Sequence, residues 1–212
     1  MQNKNNNKAG YTIIETMIAV SLFLIIIIIG MGALVNANFL HQKSQNMRSI
    51  IDNLSFVMED ISRNLRTGYN YRCITNNSDL NNTNTIATAQ SGNSCGGIAF
   101  EYQNGIPYEY DSNGVLIDRH GEDQWVYYLG NCNGKDGICK SVKGATSGSF
   151  IQLVPDEVIM TMSDSSFTVT GAVSGDSLQP FVTIKLVGSI NSKGIISPFS
   201  LQTSVSQRVV DI

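Results

Sequence analysis

Nineteen consecutive residues, Met17 to Val35, carry no charge, and Ser21 is the only polar side chain among them. At 1.5 Å per residue a helix over this run spans about 28 Å, close to the ~30 Å hydrocarbon core of a bilayer. A buried helix of a soluble protein normally keeps some polar positions, so the run predicts a membrane span. One carboxylate, Glu15, stands at its head. An ionisable group in such a segment costs about 2.5–3.5 kcal/mol on insertion scales, which marks Glu15 as a functional candidate.

The flanking charges set the expected topology. Met1 to Gly10 is polar, with Lys4 and Lys8 as its only charges. Lysine on the short N-terminal side predicts a cytoplasmic N-terminus, with everything after Val35 exported. A cleavable secretory signal is the competing reading, because Val35-Asn36-Ala37 offers small residues for cleavage after Ala37. Against it, the apolar stretch exceeds the usual h-region of about 7–15 residues, and Glu15 sits where such a region should begin.

Lys8-Ala9-Gly10-Tyr11-Thr12-Ile13-Ile14-Glu15, leading into the apolar run, resembles the prepilin processing site of type IV pilins and the pseudopilins of type II secretion. The resemblance implies that a prepilin peptidase cuts between Gly10 and Tyr11 and N-methylates Tyr11. It makes Glu15 the family's fifth-position glutamate. Tyr11 departs from the usual Phe at the first mature position. The physics points the same way. A freed α-amine on Tyr11 stays cationic when methylated, and on a helix Glu15 lies four residues on, along the same face. Pairing the carboxylate of one subunit with the amine of another offsets the desolvation that each charge suffers alone in lipid.

The helix is expected to continue past the membrane. Met47, Ile50, Ile51, Leu54, Val57, Met58, Ile61 and Leu65 follow i, i+3, i+4, i+7 spacing, with Arg48, Asp52, Asn53, Asp60, Arg63 and Arg66 on the other side. No proline precedes Pro107, so the first plausible stop is Thr67-Gly68. Gly30 and Gly32 weaken the interior by about 1 kcal/mol each relative to Ala. A stripe of this kind suits a sheet laid across it.

From Tyr69 onward turn residues multiply and the apolar period drops to two. Val182, Ile184 and Leu186 alternate with Thr183 and Lys185, and Phe199, Leu201 and Val205 alternate with Ser200, Gln202, Ser204 and Ser206. Such alternation predicts strands with one covered and one wetted face. Tyr108–Tyr110, Asp111-Ser112-Asn113-Gly114 and Val115–Ile117 read as a hairpin. Further strands are expected at 98–102, 125–129, 150–154, 158–162 and 167–173, and the Asn/Ser/Thr-rich stretch from Asn76 to Asn93 reads as a surface loop. About 145 residues after Gly68 suffice for one domain with a real core.

Four cysteines, Cys73, Cys95, Cys132 and Cys139, all lie beyond the apolar run, none in a CxxC spacing. With only His41 and His120 in the chain, zinc is not expected. Three connectivities are open, and four free thiols are the alternative an oxidising exterior disfavours. Cys73–Cys95 and Cys132–Cys139 are favoured, since each closes a loop, at about 2–4 kcal/mol apiece.

No nucleophile elbow, Walker loop, HExxH or dinucleotide fingerprint occurs, and no catalytic site, cofactor or metal is expected. Arg119, His120, Glu122 and Asp123 read as a solvated turn. Asn131 to Gly137 only faintly matches a calcium loop, with Lys135 where a ligand belongs and no closing glutamate. A net charge of −3 without a basic stripe gives no sign of nucleic acid.

These readings combine into an α+β, pilin-like chain: a long N-terminal helix, half transmembrane and half amphipathic, packed on an antiparallel sheet domain. The expected parts are a leader (1–10), the helix (11–67, transmembrane over about 13–35) and an exported β-rich domain (68–212). The large β domain, the tract Leu54 to Arg66, the hairpin and the ending Leu201 to Arg208 resemble minor pseudopilins of the J type and their pilus counterparts. Glu15 distinguishes the chain from the type II secretion tip subunit, which typically lacks it. The resemblance implies a structural subunit in the inner or cytoplasmic membrane, with prepilin peptidase and other pilin or pseudopilin subunits as partners. A membrane-tethered or secreted domain with its own binding or enzymatic task is the alternative.

Overall fold

A computed structural model describes residues 10–76, 80, 88–132, 134–145, 149–173, 178–192 and 194–208. The chain divides into two compact units, Met1–Asn46 and Met47–Ile212. A single helix, α1 (Ile13–Thr67), supplies residues to both.

Within the first unit the helix is apolar on every side from Met17 to Val35. Ile14, Ile18, Leu22, Phe23, Ile26, Ile29 and Leu34 are all exposed, so no stripe is covered by the chain itself. α1 is the one helix among the described residues that is long and apolar enough to cross a membrane. Its hydroxyls are satisfied locally: Thr16 Oγ1 donates to the Ile13 carbonyl and Ser21 Oγ to that of Ile18, each at 2.8 Å. Such back-bonding removes the need for a polar partner in a lipid environment.

Within the second unit the amphipathic stripe is covered. Leu54, Ile61 and Leu65 are fully buried, with Ile50, Val57 and Met58 nearly so and Met47 packed at the margin. Ile51, expected on the stripe, is instead exposed. It projects about 100° from Ile50 around the helix, at the edge of the buried arc, beyond the reach of the sheets. α1 stops at Thr67 where expected, and the reason is contact. A Cβ on Gly68 would lie 2.3 Å from Phe100 Cδ2, so only glycine lets the chain pass that ring. Tyr71 Oη donates to the Gly68 carbonyl at 2.8 Å and to that of Leu65, which satisfies helix-end acceptors.

Among the described residues twelve strands follow: β1 (Tyr69–Ile74), β2 (Gly92–Cys95), β3 (Gly97–Glu101), β4 (Glu109–Tyr110), β5 (Leu116–Asp118), β6 (Trp125–Asn131), β7 (Asp136–Ser141), β8 (Ile151–Gln152), β9 (Val158–Met160), β10 (Ser166–Thr170), β11 (Phe181–Ser192) and β12 (Ile195–Ser206). They form two larger sheets, ordered β1-β3-β6-β7-β8 and β12-β11-β10-β2 with β9 also on β11, plus the small β4–β5 hairpin. Every pairing between these strands is antiparallel. The fold is therefore α+β, with one long helix on antiparallel sheets. Val182, Ile184, Leu186 and Ile190 point into the core, as the alternation along β11 predicts. One cluster of buried side chains joins Leu54, Ile61 and Leu65 to Phe100 and Tyr127 of the first sheet and to Phe167 and Ile184 of the second.

Three strands depart from the sequence expectation. β1, β2 and β7 are not signalled by alternation. β2 is polar, and it takes up Gly92 and Asn93 from the stretch read as a surface loop. Residues 77–79 and 81–87 of that stretch lie outside the described residues. Both β1 and β2 are tied by the Cys73–Cys95 disulfide, and Cys132–Cys139 spans the turn between β6 and β7. Among the described residues there is no free cysteine.

Candidate functional site

The chain enters α1 through Gly10, Tyr11 and Thr12, which precede its first residue, Ile13. Thr12 is the N-cap. Its carbonyl accepts from the backbone N–H groups of Glu15 (3.1 Å) and Thr16 (3.2 Å), and its Oγ1 receives the Glu15 N–H at 3.4 Å. Thr12-Ile13-Ile14-Glu15 thus has the spacing of a capping box, Thr at N-cap and Glu at the third helical position. That signal was present in the sequence and gives Glu15 a second, purely local reason to be acidic. A carboxylate in the first turn also meets the positive end of the helix dipole.

Gly10 and Tyr11 are exposed, and a Cβ built on Gly10 would meet nothing within 4 Å. Glu15 is exposed too, and it forms no ion pair among the described residues. Tyr11 lies two residues ahead of α1, and Glu15 lies in its first turn.

The other singled-out residues lie elsewhere. His41 is exposed on α1 and bonds Gln45 Nε2 at 3.0 Å, a local i to i+4 contact. His120 is brought against two acids: its Nδ1 lies 3.1 Å from Glu122 Oε1 and 4.0 Å from Asp118 Oδ2. The hydrogen bond to Glu122, with smaller help from Asp118, holds the imidazole above its ordinary value. His120 also adopts a positive φ of 48°, in the turn between β5 and β6. In the Asn131–Gly137 turn, Asn131 Oδ1 accepts from Gly134 N–H at 2.8 Å and Lys135 pairs with Asp156 at 3.1 Å. Asn131 therefore serves as a turn former, and Lys135 fills a would-be ligand position with a cation.

Sequence reading missed two polar groupings. Lys140 Nζ donates to Asp60 Oδ2 at 2.9 Å while lying 4.7 Å from the Trp125 ring centroid, and Asp60 also accepts from Tyr127 Oη at 3.2 Å. Burial pushes the Tyr127 phenol far up, so it stays a donor. This grouping ties α1 to β6 and β7. The second is Glu101 with Gln124, both fully buried despite their polarity. Nothing in the sequence marks them, because Glu101 ends a strand of otherwise apolar residues.

Residues 5–31 match the family model of the prokaryotic N-terminal methylation motif. No curated protein and no solved structure matches the chain. The matched segment holds Gly10, Tyr11, the Thr12 cap, Glu15 and most of the uncharged run. An N-terminal apolar helix bearing that motif fits a single-pass membrane-anchored protein, and over residues 5–31 the chain is similar to proteins that carry it.

Proposed function

We propose that the chain is a minor pilin or pseudopilin: a subunit cut between Gly10 and Tyr11, N-methylated on Tyr11, held in the membrane by α1 and then assembled into a pilus or pseudopilus. The observation that carries this reading is the match at residues 5–31, which supports a processed, pilin-like subunit. The exposure of Gly10 and Tyr11 ahead of the capped helix suits access by a prepilin peptidase. In this reading the N-terminus is cytoplasmic and the unit from Met47 is exported.

Glu15 would act between subunits. An unpaired carboxylate costs about 2.5–3.5 kcal/mol at the centre of a span and less at its head, and capping offsets only part of that. The methylated amine of Tyr11 on a neighbouring subunit would offset the rest and would set axial register between helices.

Mass measurement of the mature N-terminus tests the first step. It should begin at methylated Tyr11, whereas a chain beginning at Asn38 would mean a conventional signal and end the pilin reading. Glu15→Ala tests the second step. The variant should be cleaved normally and inserted in the membrane, yet fail to enter sheared filaments or to restore the function of a deletion strain. Normal assembly of Glu15→Ala would leave the glutamate with its capping role alone.

A further inference from the structure

Glu101 is the last residue of β3, which lies between β1 and β6 in its sheet. Its side chain is 0% exposed. Gln124 Nε2 donates to its Oε2, whereas Oε1 has no hydrogen-bond partner. Among the described residues no lysine, arginine or histidine forms an ion pair with it. An ionised carboxylate there is a buried charge without a counter-charge, a state relieved by taking up a proton or by reaching water.

Part of what surrounds Glu101 is fixed by the sheet. Tyr69 of β1 stands opposite it in the ladder, and Gln124 is tied through its carbonyl to the Gly144 N–H at 2.8 Å. Another part, the turn from Tyr102 to Ile106, belongs to none of the sheets beyond its first contact with β3. A Cβ on Gly105 would stand 2.2 Å from Glu101 Oε1, so only glycine lets the turn lie this close to the carboxyl. The turn is held by Gly105 N–H donating to the Tyr102 carbonyl at 2.8 Å and by Ile106 N–H donating to Asp123 Oδ2 at 2.5 Å. It leads into the β4–β5 hairpin, whose strands pair only with each other among the described residues.

The charges around Glu101 oppose its ionisation. Burial, with Asp123 and then Glu122 adding to it, pushes the carboxyl up to about 8. The phenols of Tyr69 on β1 and Tyr108 before β4 also face it. Both are pushed up, first by burial and then by Glu101, so they stay neutral while Glu101 titrates. Arg119, after β5, acts on Tyr108. The strands beside Glu101 cannot move without breaking their ladders, whereas the turn lifts at the loss of two hydrogen bonds.

We propose that Glu101 is a pH-operated latch on this turn. Protonated, it lets residues 102–106 lie closed against β3 and the start of β6. Ionised, it is repelled by Asp123 and draws water in by lifting the turn, which loosens the attachment of the β4–β5 hairpin. The latch is independent of the assembly reading.

Hydrogen exchange of the full-length chain in detergent, followed by mass spectrometry over residues 102–108 from about pH 5 to pH 9, tests it. The carboxyl sits at about 8 in the closed turn and returns to the ordinary carboxylate range once open. Opening should therefore rise about tenfold per pH unit between those values and level off above the higher one. Base catalysis adds its own factor of about ten, so the Gly105 and Ile106 amides should exchange about a hundredfold faster per unit below pH 8 and about tenfold faster per unit above it. Glu101→Gln should show the tenfold slope throughout. Asp123→Asn removes the stronger like charge yet keeps an oxygen for the Ile106 N–H, and should move the bend to lower pH. His120→Asn should leave the bend in place. Should Glu101→Gln fail to fold, the displaced bend of Asp123→Asn carries the test. The latch is overturned if the unaltered chain shows the tenfold slope alone, or if the steep slope survives Glu101→Gln. It is equally overturned if Asp123→Asn leaves the bend unmoved, or if His120→Asn abolishes it.

Discussion

The two parts of α1 make opposite use of similar side chains. From Ile13 to Val35 leucines, isoleucines and methionines cover the whole circumference and are largely exposed; from Met47 to Thr67 they lie, Ile51 excepted, on one stripe, and that stripe is buried. Both parts are helical, so the local backbone preference does not distinguish them. Periodicity does. An unbroken apolar surface cannot be covered by a sheet on one side and calls for lipid or other helices, whereas a stripe about 100° wide is completed by a single packed face. One helix thereby serves two solvents.

Truncations of equal chemistry should separate the two parts most sharply. Leu54→Ala removes a fully buried side chain from the cluster shared with Phe100 and Phe167 and should destabilise the β-rich unit by about 3 kcal/mol. In a thermal melt that is a loss of roughly 6–12 °C. Ile26→Ala, on the apolar part, should leave the same transition in place, because Ile26 touches none of that core. A comparable drop for Ile26→Ala would break the comparison, since it would mean that the first part is also packed by the chain itself.

Glycines sharpen the contrast with a smaller effect. Gly68→Ala puts a methyl 2.3 Å from Phe100 Cδ2 and 3.2 Å from the Glu101 carbonyl, a crowding that should cost about 1–3 kcal/mol. Gly30→Ala meets nothing within 4 Å and should strengthen the helix by up to about 1 kcal/mol. Denaturant midpoints of the β-rich unit should fall for the first and stay fixed for the second. If Gly30→Ala instead inserts normally but is lost from filaments, the small side chain is needed for close approach of another helix.

What could be read from the sequence follows the same divide. The apolar run, the stripe from Ile50 to Leu65 and the long alternation of β11 carry strong periods, and the helix, the long β11–β12 pairing and the Asp111–Gly114 hairpin turn lie where those periods place them. In that turn Asp111 Oδ1 accepts from the Asn113 and Val115 N–H groups, the local chemistry its sequence suggests. β7 escaped because Asp136-Gly137 looks like a turn, and its buried Ile138 and Cys139 become strand residues only through pairing with β6. β2 is still less visible, as Gly92 to Cys95 has no apolar alternation and gains its strand from β10. Glu101 and Gln124 are the furthest from prediction. Nothing local buries a glutamate; the burial comes from β3 lying between β1 and β6, far along the chain.

Titration should supply the mildest separation. His120, in the β-rich unit, is held above its ordinary value first by the hydrogen bond to Glu122, with Asp118 adding to it. A raised folded-state value means that the protonated ring favours the fold. The extra stability is complete below the unfolded value near 6.5 and is lost as pH rises through the folded one. Burial beside Asp123 pushes Glu101 up to about 8, so its titration would overlap and is best removed with Glu101→Gln. In that background the Tm of the β-rich unit should fall modestly between about pH 5 and pH 8. His120→Asn should flatten the decline without straining the turn, because asparagine tolerates the φ of 48° found there. The apolar run from Met17 to Val35 contains no titratable side chain, so the decline should be confined to the transition of the β-rich unit. A slope unchanged by His120→Asn would assign the pH response to other groups and leave His120 as a turn residue only.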